Sequence, residues 1–386
     1  MRLFPSCLLL AGSAALCARA ADISESSIEV SFRPQDLPQK TTTCKALNRA
    51  ARTLEDIQIE YIDVNPTAER TLLMVHGWPS LWHSWKFQVE EFKDDYRLII
   101  PNNRGFANST HPGDFVASGT WADMVGDLMC VLEHAGVNTA VCMGHDWGSE
   151  LCYEAARMRP DRITAVLGAV VPYMPSEGSF APSSALVPYL PRLAYQIYLG
   201  ESPDSASVEL NKDVRRTLRA TLRTVASPPP ETFLESTTTY LGAWKEVKEI
   251  PPIPFFTKEE EDYWVEQYSI QGFEFTLEFY TIANQLGSWE FIHAQGNYTI
   301  PQPALAILPI HDPVANWEKA MQLLRSQHFL PNLAVKTMDG AHWPQLEFPK
   351  VFNRFVREWL NEIEGKETKP QDTEQAVLHV RSAGEL

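Results

Sequence analysis

The sequence GHDWG at residues 144–148 lies between a short apolar stretch at 140–143, which predicts a β-strand, and a helical pattern at 150–159. A strand that turns sharply into a helix, with small residues around the turn, is typical of a nucleophile elbow, which lifts its central side chain above a sheet. The central residue here is Asp146, where that motif usually has serine. A glycine-lined turn with a capping aspartate is the purely structural alternative.

Two more residues follow predicted strands at the places where a triad has its catalytic acid and its histidine. Asp312 comes after the apolar strand at 304–308, and His342 comes after the strand at 333–337. The order nucleophile, acid, histidine is the chain order of this architecture. Each residue alone could begin a turn or pack at the surface, but together they predict a catalytic triad of Asp146, Asp312 and His342.

The sequence HGWP at residues 76–79 ends another predicted strand, at 71–75. A backbone N–H at this place and one just after the nucleophile are suited to form an oxyanion hole. We therefore expect the N–H groups of Trp78 and Trp147 to stabilise negative charge beside the nucleophile. An ordinary strand-ending turn is the alternative for 76–79.

Strands and helices alternate through the first part of the chain, which is the signature of a doubly wound α/β domain with a mostly parallel central sheet and helices on both faces. The pattern changes after Pro172, since the next hundred or so residues are rich in proline and aromatic side chains and predict helices without alternating strands. We expect a core at 21–172 and 300–364, an inserted helical cap at 173–299, and a polar, disordered tail at 365–386. The predicted strands are 57–62, 71–75, 98–100, 140–143, 163–171, 304–308 and 333–337, and the predicted helices are 45–54, 120–134, 150–159, 214–223, 259–268 and 351–363.

The N-terminus has the composition of an export signal. Arg2 precedes an apolar run at 3–17, and Ala-Arg-Ala at 18–20 fits the small-x-small pattern of a cleavage site. Residues 1–20 therefore predict a cleaved signal peptide. A first helix anchored in a membrane is the alternative, but the run is shorter than the ~20 residues that a spanning helix needs.

Two glycosylation sequons, at Asn108 and Asn297, agree with export. We therefore expect a protein that is secreted or resident in the secretory pathway, with no membrane span once the signal is removed. The formal charge of −16 argues against nucleic acid or an anionic membrane as a partner. The oligomeric state is left open by the sequence.

Four cysteines lie outside the predicted signal. Cys130, Cys142 and Cys152 have apolar neighbours and predict buried thiols, while the pairing of Cys44 is left open. The sequence has no CxxC and no histidine cluster at zinc-ligand spacing, so no metal site is expected.

The chain resembles the epoxide hydrolases of the α/β-hydrolase fold from about residue 57 to residue 360. The resemblance is carried by HGWPSLWHSW at 76–85, RGFANS at 104–109, GHDWGS at 144–149 and GAHWPQLEFP at 340–349. The combination of GHDWG with HGxP is shared with haloalkane dehalogenases, and the cap separates the two groups.

Two cap tyrosines that hold and protonate the epoxide oxygen are implied by the resemblance. The first corresponds to Tyr195 in AYQIYL, and the second to Tyr280, which follows the Gly-Phe pair at 272–273. The sequence departs from the family pattern at Asn102, where an aspartate is frequent, and at Thr281, where an arginine is frequent. These departures concern substrate identity more than chemistry.

The resemblance implies that Asp146 opens an epoxide to a vicinal diol through a covalent alkyl ester. Water activated by His342, which Asp312 orients, would then hydrolyse the ester. No cofactor is needed, and the expected partner is a small, apolar epoxide whose identity is left open.

Three other functions compete with this interpretation. A haloalkane dehalogenase would use the same triad but hold halide with Trp147 and a second N–H donor. A biosynthetic enzyme would let an internal hydroxyl of a polyketide-type epoxide open the ring, closing a cyclic ether. A non-enzymatic binding module is disfavoured by the intact triad.

Overall fold

The computed structural model describes residues 28–365. The predicted signal peptide at 1–20 and the predicted tail beyond Gly365 lie outside these residues. The described part contains one eight-stranded sheet. Its strands are β1 (Gln39–Asn48), β2 (Thr53–Val64), β3 (Thr71–Val75), β4 (Arg97–Pro101), β5 (Ala140–His145), β6 (Ile163–Ala169), β7 (Ala304–Pro309) and β8 (Leu333–Met338).

Helices follow most of these strands in the chain. The α-helices are α1 (Lys86–Phe92), α2 (Trp121–His134), α3 (Trp147–Met158), α4 (Tyr195–Glu201), α5 (Pro203–Asn211), α6 (Val214–Thr221), α7 (Lys258–Gln271), α8 (Ile282–Gln295), α9 (Trp317–Leu323), α10 (Ser326–Phe329), α11 (Pro344–Glu347) and α12 (Pro349–Ile363). Helix α2 begins where Thr120 caps its first turn by accepting a hydrogen bond from the Asp123 N–H. Helices α4 to α8 all fall between β6 and β7, as the composition of that segment predicts.

The strand order is β1-β2-β4-β3-β5-β6-β7-β8. β1 and β2, and β2 and β4, pair antiparallel, while every other neighbouring pair is parallel. The predicted α/β-hydrolase fold with a mostly parallel sheet is therefore confirmed. Because parallel strands point the same way, β3, β5, β7 and β8 all deliver their following residues to one edge of the sheet. β3, β5 and β7 are fully or almost fully buried, as their continuous apolar sequences require.

The helical segment between β6 and β7 packs onto the loop after β3. The Trp82 indole N–H donates to the Tyr263 hydroxyl at 2.8 Å, and the Trp78 indole N–H donates to the Thr276 hydroxyl at 2.9 Å. Lys86 is buried and pairs with Glu260 at 2.7 Å. These contacts fix the segment over the edge of the sheet where β3 ends.

The helix predicted at 45–54 is wrong, because this stretch forms parts of β1 and β2 and the turn between them. Cys44 pairs with Ile57 and Leu47 pairs with Leu54 across the hairpin. Residues of β1 alternate between buried and exposed, which is the period of a strand. The alanines, arginines and lysine of this stretch favour a helix locally, but burial against the sheet outweighs a propensity worth only tenths of a kcal/mol per residue, or about 0.7 at most.

The four cysteines form two disulfides, so the prediction of free thiols is wrong. Cys44 in β1 bonds Cys130 in α2 with an S–S distance of 2.08 Å, and Cys142 in β5 bonds Cys152 in α3 with 2.02 Å. Burial was predicted correctly for Cys142 and Cys152, which are fully inaccessible, but not for Cys130, which is only partly buried. The partners could not be found from spacing, since each bond depends on a helix packing against a strand.

The exposure of the two predicted glycosylation sites is relevant to the predicted export. Asn108 and Asn297 are both exposed, as an acceptor of a glycan must be. Among residues 28–365, no helix is long and apolar enough to cross a membrane. In the same range, no group of three or more histidine, cysteine, aspartate or glutamate side chains is placed to hold a metal ion.

Candidate active site

Asp146 occupies the sharp turn between β5 and α3. Its φ of 55° and ψ of −126° are rare for a residue with a side chain and cost on the order of 1–3 kcal/mol. The turn closes so tightly that a Cβ at Gly144 would lie 2.1 Å from the carbonyl oxygen of Gly148, so only glycine fits there. The strained turn presents a 4% exposed carboxylate at the edge of the sheet.

The three residues predicted as a triad converge at this edge. Nδ1 of His342 donates to Oδ2 of Asp312 at 2.7 Å, and Nε2 of His342 lies 3.3 Å from Oδ2 of Asp146. Asp312 follows β7 and His342 follows β8, so the parallel order of the strands brings all three together. The imidazole is therefore held between two carboxylates.

Trp317, at the start of α9, is a site residue that sequence reasoning missed. Its indole N–H donates to Oδ2 of Asp312 at 2.6 Å, while the Val314 N–H donates to Oδ1 at 2.8 Å. With the bond from His342, both oxygens of the acid are occupied and its orientation is fixed. A tryptophan five residues after a predicted catalytic acid was the available signal, but the turn between them could not be predicted.

Two opposing effects set the charge of His342. Burial lowers the pKa of its imidazole, but the negative charges of Asp312 and Asp146 and their hydrogen bonds outweigh burial and raise the pKa to about 10. Burial alone would raise the pKa of Asp146, yet the hydrogen bond and charge of His342 leave it below its ordinary value. At neutral pH the site thus holds a carboxylate nucleophile against an imidazolium.

The HGWP loop holds the other oxygen of the nucleophile. The Trp78 N–H donates to Oδ1 of Asp146 at 2.9 Å. A Cβ at Gly77 would lie 2.4 Å from that oxygen, so the loop can approach only without a side chain. The Trp147 N–H, the other predicted oxyanion donor, forms no hydrogen bond to the Asp146 carboxylate within the described range. The structure therefore places one of the two predicted donors in contact.

Two buried histidines beside the nucleophile support the loops and were not anticipated from the sequence. His145 donates from Nε2 to the carbonyl oxygen of His342 at 2.7 Å. His76 donates from Nδ1 to the Gly77 carbonyl at 2.9 Å, and its Nε2 accepts from the Asn103 N–H at 3.0 Å. Burial lowers the pKa of each imidazole to about 4, so both stay neutral and brace the site without adding charge.

The two predicted cap tyrosines lie together beside the nucleophile. The ring centroids of Tyr195 and Tyr280 are 5.8 Å apart, and the Tyr280 ring is 5.3 Å from Trp78 and 5.7 Å from Trp147. The Tyr280 hydroxyl is buried and makes no hydrogen bond to the described residues. Burial raises the pKa of both phenols, and the charge of Asp146 raises it further, so both remain protonated donors.

A third tyrosine, Tyr240, belongs to the same aromatic group. Its ring lies 5.9 Å from Tyr195 and 5.5 Å from Trp78. Burial raises the pKa of this phenol as well. It sits in an irregular stretch before α7, where the sequence carries no period that would have marked it.

The catalytic cavity is the space in front of Asp146 and Tyr195, with a free volume of about 420 Å³ including its mouth. Its other walls are largely apolar, and include Val171, Leu190 and Leu193. A second, smaller space on the far side of Tyr195 reaches His342 and Tyr240. The nucleophile and the base thus border two adjoining, mostly apolar spaces that have Tyr195 in common, and charge interactions are strong in such surroundings.

A larger groove lies away from these two spaces. It has a free volume of about 2380 Å³, is lined by Lys86 and Glu260 among others, and contains none of the triad, Tyr195 or Tyr280. Volume alone therefore does not locate the chemistry, which is set by the convergence of the titratable groups.

The sequence model of the family described as alpha/beta hydrolase fold matches residues 70–349. That match covers more than half of the chain, and the fold and the triad geometry agree with it. The chain belongs to the α/β-hydrolase fold family.

Curated relatives at lower identity are named as epoxide hydrolases. Bifunctional epoxide hydrolase 2 of Sus scrofa is 27% identical over 292 residues, which cover 74% of this chain and 50% of that protein. Epoxide hydrolase A of Mycobacterium tuberculosis is 25% identical over 328 residues, which cover 80% of this chain and 95% of that protein. The match thus spans about half the length of the bifunctional relative and nearly all of the bacterial one.

Solved structures share the same architecture. Epoxide Hydrolase A from Mycobacterium thermoresistibile superposes with a TM-score of 0.67 at 23% identity, covering 86% of this chain and 100% of that chain. An epoxide hydrolase from Vigna radiata gives a TM-score of 0.70 at 20% identity, covering 86% of this chain and 99% of that chain. At these identities the likeness establishes the fold alone.

Proposed function

We propose that the protein is an epoxide hydrolase that opens an epoxide to a vicinal diol through a covalent ester on Asp146. The observation that carries the proposal is the position of this carboxylate, hydrogen-bonded by the Trp78 N–H on one oxygen and facing His342 with the other, beside the phenols of Tyr195 and Tyr280. The names of the relatives support the same reaction class.

The first half of the reaction uses the two oxygens of Asp146 differently. Oδ1 stays on the Trp78 N–H, so Oδ2 is the oxygen that attacks a ring carbon. The carbon–oxygen bond of the ring breaks, and its electron pair remains on the epoxide oxygen. That oxygen takes a proton from Tyr195 or Tyr280, leaving a tyrosinate. General acid assistance of this kind contributes about 10²- to 10⁴-fold in rate.

Formation of the ester changes His342 from an acid into a base. The ester removes the negative charge of Asp146, which is one of the causes that raise the pKa of His342. The imidazolium gives its proton back to the tyrosinate and becomes neutral. Formation of the ester on Asp146 therefore leaves His342 neutral and able to act as a base in the second half of the reaction.

Hydrolysis of the ester returns the site to its starting state. Water loses a proton to His342, held by Asp312, and its oxygen adds to the ester carbonyl carbon. The negative charge develops on Oδ1 of Asp146, where the Trp78 N–H already donates, and the Trp147 N–H would be the second donor. The bond to the substrate breaks, and the departing alkoxide takes the proton of the new carboxylic acid to give the diol.

A carboxylate suits this chemistry better than the usual serine. Attack occurs at a saturated carbon, and a carboxylate leaves an ester whose carbonyl water can attack. A serine would leave an ether, which has no carbonyl and would not turn over. The replacement of serine by Asp146 in the elbow therefore favours ring opening over acyl transfer.

The ester route is tested by a single turnover of excess enzyme in ¹⁸O water, followed by mass spectrometry of the peptide that contains Asp146. We expect one ¹⁸O atom in its carboxylate, because water attacks the ester carbonyl. Replacing His342→Gln should let the ester accumulate as a mass increase equal to the substrate, and Asp146→Asn should form no ester. Label found in the diol alone would contradict the ester route.

One observation favours haloalkane dehalogenation as a second candidate. The indole N–H of Trp147 is buried and has no acceptor among the described residues, and such a donor could hold a halide. The two phenols beside it favour an epoxide oxygen instead. Parallel assays for diol and chloride release, with matched epoxides and chloroalkanes, separate the candidates.

The same products decide whether water or an internal hydroxyl opens the ring. After many turnovers, a vicinal diol carrying one solvent oxygen indicates hydrolysis, whereas a cyclic ether without solvent oxygen indicates a biosynthetic cyclase. The apolar walls of the catalytic cavity suit an apolar epoxide in either case.

Passage through the secretory pathway is also part of the proposal. Two disulfides are typical of proteins that fold in an oxidising compartment, and the exposed Asn297 supports glycosylation, whereas Nδ2 of Asn108 donates to Oε1 of Glu60 at 2.9 Å. Expression in a secreting host should yield protein in the medium whose mass falls on glycan removal. The loss should disappear when both asparagines are replaced by glutamine, and an unmodified intracellular product would contradict the proposal.

A further inference from the structure

A second cavity, here called the side channel, lies next to the catalytic cavity and borders α3. It has a free volume of about 830 Å³ including its mouth. The two spaces share the wall residues Trp147, Met174, Ser183, Leu186 and Leu324. The two cavities are therefore immediate neighbours on either side of these residues.

Glu150 is an acidic side chain in the wall of the side channel. It stands four residues after Asp146, one turn further along α3, which places it about 6 Å along the helix axis from the nucleophile. Glu150 is only 1% exposed to solvent. Oε2 accepts a hydrogen bond from the Met174 N–H at 2.9 Å, and Oε1 forms no hydrogen bond to the described residues.

Three hydroxyl and amide side chains of the wall are already hydrogen-bonded to other parts of the protein. The Gln285 amide donates to the Ser183 hydroxyl at 3.1 Å, and the Ser288 hydroxyl accepts from the Trp121 N–H at 3.0 Å. Glu150 keeps one oxygen available to a ligand, and the indole N–H groups of Trp147 and Trp289 in the same wall are also without an acceptor among the described residues.

The surroundings of Glu150 keep it neutral. Burial raises the pKa of its carboxyl well above the ordinary value, and the negative charge of Glu154 raises it further. Glu154 itself is tied to Arg157 at 2.8 Å, so that arginine is largely taken. A protonated Glu150 can accept from Met174 with one oxygen and donate an O–H with the other.

We propose that Glu150 is a specificity-determining residue, which donates a hydrogen bond to a neutral oxygen of the substrate in the side channel. The preferred substrate is then an epoxide that carries a hydroxyl, ether or carbonyl oxygen about six bonds from the ring, matching one helical turn. The proposal rests on the proposed epoxide hydrolysis and adds a polar recognition point to an otherwise apolar site. A buried donor left unpaired is costly, so an epoxide lacking this oxygen binds less well.

The test compares 1,2-epoxyalkanes with ω-hydroxy compounds of the same length, with the hydroxyl about four to about eight carbons from the ring. The measured quantity is the ratio of kcat/KM for the hydroxylated and plain compounds. We expect a maximum near the middle of the series for the unaltered protein. In Glu150→Met the ratio should fall about 5- to 10-fold, since one hydrogen bond is lost. Glu150→Gln keeps both a donor and an acceptor and should retain most of the preference.

Glu177→Gln provides a matched control, because Glu177 also lines the side channel but is exposed rather than buried. Its ratio should equal that of the unaltered protein. Equal ratios in the unaltered protein and Glu150→Met, or no chain-length maximum, would overturn the proposal while leaving epoxide hydrolysis intact. If no epoxide gives a diol, the proposed function itself is wrong. Because the ratio compares two substrates on one preparation, partial misfolding of a variant cancels.

Discussion

Replacing Asp146→Asn should lower the pKa of His342 by roughly 2 to 3, because it removes one of the two charges that face the imidazole. In the structure Nε2 of His342 lies 3.3 Å from the Asp146 carboxylate, and the pKa of His342 is about 10. Two unit charges at that distance interact by about 5 kcal/mol at an effective dielectric constant of ~20, equivalent to between 3 and 4 in pKa. The amide oxygen of asparagine still accepts a hydrogen bond, so part of that effect remains.

The assay is an NMR titration of the imidazole ring nitrogens and carbons in protein labelled at histidine, between pH 5 and 10.5. The chain has 10 histidines, so His342→Gln identifies the resonance. Asp312→Asn provides the matched comparison, because it removes the carboxylate 2.7 Å from the other ring nitrogen. His145, which is buried and neutral beside the site, should titrate little in any of the proteins.

The result matters for mechanism because asparagine imitates the loss of charge that the ester would cause. A pKa of His342 near 7 to 8 in Asp146→Asn means that an imidazole facing the ester is ready to accept a proton from water. A pKa that stays near 10 would refute the charge coupling, and His342 would then have to be deprotonated by some other group before hydrolysis.

Three further outcomes are expected. The folded-state pKa of His342 is raised from 6.5 to about 10, so its ion pairs stabilise the fold fully below about pH 6.5 and lose this contribution as pH rises through about 10. In urea unfolding, the free energy of unfolding should therefore exceed that of His342→Gln at low pH, and the excess should disappear across that window. A difference that stays constant with pH would contradict the prediction. Tyr280→Phe and Tyr195→Phe should each lower the rate of ring opening about 10²-fold, because each removes a proton donor beside the nucleophile; single-turnover kinetics measures both, and an unchanged rate would exclude that phenol as the acid. Trp317→Phe should lower kcat about tenfold with little change in KM and let the ester accumulate, because Asp312, which orients His342, loses a 2.6 Å hydrogen bond. An unchanged kcat would exclude this positioning role of Trp317.

The disulfides indicate how the triad edge is stabilised. Cys142 and Cys152 join the strand before the elbow to the helix after it, on either side of Asp146. The strained turn therefore has a covalent support a few residues away in both directions. In a reducing compartment this support would be lost, which agrees with the proposed passage through the secretory pathway.

The elements that depend on nearby residues could be predicted from the sequence. Continuous apolar runs predicted the buried parallel strands, and the apolar face of residues 120–134 predicted α2. The triad was also readable, because Asp146, Asp312 and His342 each follow such a strand and parallel strands end at one edge. Motif and spacing were sufficient wherever the chain's direction alone brings groups together.

The contacts between segments that no local pattern connects became visible in the folded protein alone. The stretch at 45–54 became a hairpin because pairing and burial outweighed its helical composition, and the cysteines paired because helices packed on their strands. The roles of Trp317 and Glu150 also depend on tertiary packing. Packing places the Trp317 indole N–H on an oxygen of Asp312, and it leaves one oxygen of Glu150 without a hydrogen bond. Local sequence encodes the direction and the buried face of each element. Whether two distant groups come within hydrogen-bonding distance depends on small shifts in the packing of all elements against each other.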